Sequence, residues 1–473
     1  MLNPLRTFRK RLFEQVDIST LVFFRIAFGG ILFWEVCRYF YYGWIERYWI
    51  APDFYFTYQG FGWVAPWEGN MMYVHFLVLG VLALFIMIGF MYRISTFLFF
   101  LGFSYVFLLD KSNYLNHFYL ISLLSFLMVL VPAHRSLSID AKLFPSMASE
   151  KVPQWALWII AFQVGVAYFY GGIAKLNADW LAGEPMRKWL GDSTDFPLVG
   201  QYFTEDLMPY VFSYGGLLFD LLVVPMLLFK RTRWLAFGAI AFFHLSNSRL
   251  FNIGIFPWFM LATSGLFFAP DWFRRFVNFI FPGTWPAAVQ QVATQPTIIR
   301  PKPSSFRPQL IYVFLGVYVF FQLVFPFRHL AIPGNVSWTE EGHRFAWHMK
   351  LRDKQARARF IVTDPATQKE WVVKPKKYLS KRQARKMKTR PDMILQFSHY
   401  LAEIYERKGY PNVTIKALVL AELNSREEQL LIDPEVDLAK VTYNRMPAPW
   451  IMPLLDKKSN QASLTENAEE QDE

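Results

Sequence analysis

The chain has 473 residues, 54% of them hydrophobic and 19% aromatic, and only 18% charged against roughly a quarter in an ordinary soluble domain. That mix excludes disorder, a coiled coil and a small secreted scaffold, and the single cysteine, Cys37, excludes an intramolecular disulfide and any cysteine-based metal cluster. The formal charge of +12 could suggest nucleic acid, but the aromatic residues sit in apolar runs and not among the basic ones, so the charge reads as topology signals and contacts with anionic headgroups.

Those runs have the length that crosses a bilayer, roughly 17–25 residues. They predict about nine spans, at 18–37, 73–92, 94–109, 115–132, 154–173, 208–229, 234–250, 253–269 and 311–327, a polytopic α-helical bundle. Before the first span, Arg6, Arg9, Lys10 and Arg11 hold the N-terminus in the cytoplasm. The run that follows contains Arg25 and Glu35 and no small-residue cleavage site, so it reads as an uncleaved anchor. Arg93, Arg135, Lys142, Lys230, Arg231, Arg233, Arg274, Arg275, Arg300, Lys302 and Arg307 then all fall on the cytoplasmic side. The aromatic, Gly- and Pro-containing loops 38–72 and 174–207 lie outside, as does everything after Pro326, in a lumen or periplasm. The 174–207 loop and the C-terminal domain are thereby expected on one face, able to share a site.

From 328 the apolar runs stop. Short strand patterns at 360–363, 371–373 and 413–420, with a charged helical stretch at 380–407, predict a β-rich or α+β domain. The expected organisation is a membrane part over 1–327, an extracytoplasmic domain over 328–455 and a disordered acidic tail over 456–473. Residues 300–391 hold 20 basic and 5 acidic residues, a basic face for headgroups or an acidic polypeptide, or a charged face that is simply solvated.

Ionisable residues inside spans are costly and mark a site or a buried pair. Arg25 and Asp220 are the deepest; they read as a neutralising pair, with Arg249 an alternative partner for Asp220. Asn116 and His117 start the fourth span at its outer end, and His244 and Asn247, three apart in the seventh, share a helical face. No third ligand stands at helical spacing, so no metal is expected at these histidines. Lys175 emerges at the end of span five, where partly apolar surroundings favour the neutral amine a base requires; the alternative is a lysine snorkelling to the interface. Gly171 and Gly172 beside it permit close helix approach.

Several strings in order along the chain carry a resemblance. Leu109-Asp-Lys-Ser-Asn-Tyr-Leu-Asn-His-Phe-Tyr-Leu120, Gly172-Ile-Ala-Lys-Leu-Asn-Ala-Asp-Trp180, Phe243-His-Leu-Ser-Asn-Ser-Arg-Leu-Phe-Asn-Ile-Gly254, Trp338-Thr-Glu-Glu-Gly-His-Arg-Phe-Ala-Trp347 and Leu430-Leu-Ile-Asp-Pro-Glu-Val-Asp437 resemble segments of the vitamin K-dependent γ-glutamyl carboxylase family, whose membrane part recurs in the wider group of horizontally transferred transmembrane proteins. The resemblance implies a catalytic membrane part that carboxylates peptidyl glutamate and epoxidises vitamin K hydroquinone, with O₂ and CO₂ as co-substrates and a glutamate-containing peptide or protein as partner. It implies Lys175 as the base that takes the hydroquinone proton, His117 with Asn116 as catalytic orienting groups, and His244 with Asn247 as hydroquinone-pocket residues. Oxidation of the quinol supplies a base stronger than any side chain, so the pocket must exclude water. The alternatives are a quinone-oxidising relative that epoxidises without carboxylating glutamate, and a lipid-binding or transport protein built on the same bundle.

Overall fold

A computed structural model describes residues 4–251, 253–283, 285, 308–442 and 446–455. The predicted acidic tail and residues 300–307 lie outside the described residues.

Each predicted span coincides with a helix: α1 (Ser19–Tyr41), α2 (Met71–Ile88), α3 (Tyr92–Leu109), α4 (Asn116–Leu130), α5 (Trp155–Ile173), α6 (Met208–Leu228), α7 (Arg233–Phe251), α8 (Phe256–Ser264) and α9 (Pro308–Val324). Among the described residues, six helices have both the length and the apolarity to cross a membrane: α1, α2, α3, α5, α6, and α9 with its continuation to Ala331. This is fewer than the nine expected. At 1.5 Å per residue the 15 residues of α4 rise only about 22 Å, short of the roughly 30 Å hydrocarbon core, and α8 is shorter still. Helix α7 is long enough but carries Arg233, His244, Asn247 and Arg249.

Successive helices pack side by side from α1 to α8, and α8 returns to pack on α1, closing a ring. Helix α9 stands outside it against α5, where the Tyr318 hydroxyl donates to Gln163 Oε1 at 2.6 Å. Close approach depends on glycine. A Cβ at Gly29 of α1 would lie 2.6 Å from the Ala83 carbonyl of α2, and one at Gly172 of α5 would lie 2.6 Å from the Leu221 side chain of α6.

The two ends of the ring differ. At one end β1 (Gln15–Asp17) pairs antiparallel with β2 (Lys151–Pro153), Arg274 meets Asp17 at 2.9 Å, and Thr20 donates to the Pro270 carbonyl at 2.9 Å. Arg25, fully buried at this end of α1, donates to the carbonyls of Ala133, Ser136 and Leu137 after α4. At the opposite end loop 38–72, the α3–α4 turn and loop 174–207 all touch the C-terminal domain. Gln383 reaches the Phe54 carbonyl at 2.6 Å and Asp110 at 3.0 Å, Gln396 reaches the Thr57 carbonyl at 2.9 Å, and Asp179 pairs with Arg426 at 2.5 Å. Loop 174–207 and the C-terminal domain therefore do share a face.

That domain is α+β. Its antiparallel sheet has strand order β4-β3-β5-β6, from β3 (Lys354–Thr363), β4 (Glu370–Val373), β5 (Thr414–Leu423) and β6 (Gln429–Leu430). In β5 the period-two alternation buries Ile415, Ala417, Val419, Ala421 and Leu423. Those side chains meet the apolar face of α11 (Pro391–Arg407), which follows the short α10 (Lys381–Met387). Ser380 and Gln383 form a capping box that starts α10, and Pro391 starts α11 at the first helical position, where its missing N–H costs nothing.

Candidate functional site

The α5 helix stops at Ile173, and Asn177 fixes the turn that follows: its Oδ1 accepts from the Trp180 N–H at 3.0 Å and its Nδ2 donates to the Ala174 carbonyl at 2.9 Å. This folds Lys175 back along α5. It does not snorkel: at 5% exposure its Nζ donates to the Gly171 carbonyl at 3.1 Å, lies 2.5 Å from Asp220 Oδ2 of α6, and sits 5.3 Å above the Trp180 ring. Asp220, equally buried, is thus the partner of Lys175. The expected pairing with Arg25, or with Arg249, is not what forms. Arg25 is at the far end of the bundle among carbonyls that need no counter-charge, and Arg249 is exposed.

From Asp220 an aromatic line runs across the ring. Phe219 stacks on Phe243 at 4.0 Å between centroids and packs on Tyr168 at 5.9 Å; the Tyr168 hydroxyl hydrogen-bonds His244 Nε2 at 2.8 Å. Phe256 of α8 touches both predicted histidines, with centroids 5.6 Å from His244 and 5.4 Å from His117. The structure therefore brings Lys175, just past the end of α5, His244 of α7 and His117 of α4 to one side of the ring. Asn247 lies half-buried one turn beyond His244. Asn116 is placed elsewhere: its Oδ1 accepts from Tyr114 at 2.8 Å and its Nδ2 donates to the His348 carbonyl at 2.9 Å, so it ties the bundle to the C-terminal domain. A cavity of about 30 Å³ walled by Glu35, Asn113 and Phe118 has room for a water or two and not for a ring system.

The segment 338–352 closes over this end of the ring. Trp338 is buried in the C-terminal domain's core while Trp347 is buried in that of the bundle, so one short motif has an anchor on each side. Phe345 inserts between Tyr114 and Tyr119, at 5.4 and 5.0 Å. The Met349 methyl lies against Gly171, and Leu351 packs with Trp180, next to Lys175. Two carboxylates, the buried Glu340 and the half-buried Asp392, gather Lys111, Arg344, Arg352, Lys354 and Arg390 around this seam. Burial pushes the Asp392 carboxyl up, but Arg344 and Lys111 outweigh it and hold the group well below the usual carboxylate range. Burial pushes the Lys354 ammonium down to about 7, with Glu340 opposing. His343 and His348 are likewise driven down by burial, His348 to about 3, and Arg352 donates to His343 Nδ1 at 3.4 Å.

The sequence pointed to Lys175, His117, Asn116, His244 and Asn247; of these the structure gathers Lys175, His117 and His244, turns the Asn116 side chain to the His348 carbonyl, and adds Asp220, Tyr168 and the Glu340 and Asp392 clusters, which the sequence did not point to as neighbours. The glycine pair at 171–172 was the available signal for Asp220, since it lets α6 bring Asp220 onto the Lys175 amine.

No solved structure matches the chain. The HTTM domain family matches residues 13–272, more than half of the chain. The family described as vitamin K-dependent gamma-carboxylase, lumenal domain, matches residues 307–457. With both domains in that order, the chain belongs to the vitamin K-dependent gamma-carboxylase-like family.

Proposed function

We propose that this protein carboxylates peptidyl glutamate at the γ-carbon, coupled to oxidation of vitamin K hydroquinone to its epoxide. The observation that carries this reading is the buried Lys175–Asp220 pair beneath the 338–352 segment. The chemistry of the residues suits a quinol: the Lys175–Asp220 pair to take a proton, the Tyr168–His244 hydrogen bond as a second polar group, and Phe219, Phe243 and Phe256 as apolar aromatic surface beside them. When bound, the quinol supplies, through its oxidation by O₂ to epoxide and water, the base strength that removal of a glutamate γ-proton demands and that no side chain has.

The chain's own residues bind, orient and exclude water. Moving the Lys175 proton across the 2.5 Å contact to Asp220 leaves a neutral amine beside a neutral carboxyl, so Lys175 reaches its basic form without releasing a proton to solvent. His244 is oriented by Tyr168, and Phe256 sets the spacing between His244 and His117. Asn116 holds the His348 backbone and so keeps the 338–352 segment shut. The cations around Glu340 and Asp392 give the seam a positive field suited to a glutamate carboxylate. In this reading all nine helices pass between the two faces, the short α4 and α8 included, so the N-terminus is cytoplasmic and the C-terminal domain faces a lumen or periplasm. In a Cys37→Ser background, Glu403→Cys is labelled by a membrane-impermeant maleimide in right-side-out vesicles and Arg231→Cys only in inverted ones; the reverse pattern would reject the orientation.

The test is incorporation of ¹⁴CO₂ into a glutamate-rich peptide by purified protein supplied with vitamin K hydroquinone and O₂, with epoxide measured in the same tube. Both products are expected, and both disappear in Lys175→Ala. That variant leaves Asp220 buried without its cation, so the isosteric double variant Lys175→Met/Asp220→Leu serves as a folded control and is also inactive. Epoxide without incorporated label would limit the function to quinol oxidation, and activity in the folded double variant would remove Lys175 from the chemistry.

A further inference from the structure

At the end of the ring away from the C-terminal domain, the α6–α7 turn, the chain after α8 and the helix Trp272–Ile280 enclose a groove of about 580 Å³. That is within the roughly 300–1,000 Å³ of small-molecule sites. Its floor is aromatic, from Phe23, Phe237, Phe268 and Trp272, and its rim carries Lys230, Arg233 and Arg275. Trp234, 71% exposed, forms an outer wall.

The rim is fixed in part and free in part. Arg233 donates through Nε to the Leu227 carbonyl at 2.8 Å and lies over the Phe268 ring at 5.8 Å, so its guanidinium is held at the groove. Arg275 meets Asp271 at 3.1 Å, yet both side chains stay about half exposed. Lys230 is exposed and forms no ion pair among the described residues. The helix Trp272–Ile280 beneath carries Phe276 and Phe279 outward, the amphipathic pattern of a helix lying in the membrane interface.

We propose that this groove binds an anionic glycerophospholipid. Its phosphate sits between Lys230 and Arg275, and the first part of one acyl chain runs over Phe268 against Trp234. Three cations around one acid call for a negative headgroup, since basic pockets between membrane helices select anionic lipids. The aromatic floor calls for a chain, which a soluble phosphate does not have. The groove is independent of the quinol site: Lys230 lies ten residues beyond Asp220 along α6 and its turn, about 15 Å further along the axis.

Detergent-purified protein titrated with phosphatidylglycerol or with phosphatidylcholine of the same acyl chains, with bound lipid counted by native mass spectrometry, tests the proposal. Phosphatidylglycerol is expected to bind about 25-fold more tightly. Lys230→Gln/Arg275→Gln, two exposed positions whose replacement leaves the monodisperse fold intact, is expected to abolish that preference, at about fivefold per cation for the roughly 1 kcal/mol each contributes. Trp234→Ala is expected to weaken both lipids alike and keep their ratio. Inorganic phosphate and glycerol 3-phosphate are expected not to displace the lipid. Equal affinity for the two lipids, a preference that survives in the double variant, or displacement by inorganic phosphate would each overturn the assignment.

Discussion

Lys175 and Asp220 are a salt bridge with 5% of each residue exposed, and such pairs are poor stabilisers because desolvating two charges offsets most of their attraction. Their removal is asymmetric. Asp220→Leu alone strands an ammonium among Gly171, Trp180 and the apolar α5–α6 contact, and breaking a buried pair from one side costs about 3–5 kcal/mol. Lys175→Met with Asp220→Leu replaces both charges by groups of similar size and is expected to recover most of that loss. Thermal unfolding followed by tryptophan fluorescence checks it, and a single Asp220→Leu variant as stable as the parent would show that the two residues are not energetically coupled. Recovered stability with activity still absent would separate a pair kept for chemistry from one kept for packing.

The helices that hold this pair depend on their spacing. A Cβ at Gly172 would come within 2.6 Å of the Leu221 side chain and 3.2 Å of its backbone nitrogen, so α6 itself must move, whereas one at Gly165 of the same helix would meet Val224 at an ordinary 3.5 Å. Gly172→Ala is therefore expected to cost about 1–3 kcal/mol by overpacking and to suppress epoxide formation although Lys175 is untouched. Gly165→Ala is expected to be tolerated, and equal effects of the two variants would dismiss the spacing argument. The same contrast marks what the sequence makes legible. Every apolar run coincides with a helix, and the strand patterns at 360–363, 371–373 and 413–420 lie in β3, β4 and β5, because period and length are local properties. Whether a run spans a bilayer is less local: α4 reads as a span of 18 residues and folds as a helix of 15, since Leu115 belongs to the turn before it and the extended Val131 ahead of Pro132 ends it. The partner of Asp220 is not local at all. Charge and depth favoured Arg25, but reach is set by which helices adjoin, and α6 adjoins α5, not α1. The Glu340 and Asp392 clusters were hidden for the same reason, since Lys111 meets Asp392 across 281 residues only after the two parts dock.

The two parts dock along a surface that buries two histidines in their neutral form, which makes the docking sensitive to acid. His343 and His348 are buried at the seam, facing Arg352, Arg390 and Arg344 in the first case and His329, Arg352 and Arg328 in the second, with Glu340 3.8 Å from His343. Burial first, and the arginines after it, keep both imidazoles neutral when the seam is closed. When the seam opens, each returns to the ordinary histidine range near 6.5. The open form therefore binds more protons than the closed form below that pH, so closure is at full strength above about 6.5 and weakens as pH falls toward the closed-state value, about 3 for His348. Between pH 7.5 and 5.5 each histidine accounts for about 1.4 kcal/mol, and the two together about 3 kcal/mol. Hydrogen exchange of the 343–352 backbone, corrected for intrinsic rates, reads this directly: the two histidines are expected to lower protection about a hundredfold over that interval, and His348→Gln, which keeps His343, to lose about tenfold of that change. Carboxylates will not mask the effect, because Asp392 is held well below the usual carboxylate range and stays ionised throughout. Protection that is unchanged between the two pH values would mean that the histidines stay neutral in the open form too, and that the charged clusters alone keep the C-terminal domain closed over Lys175.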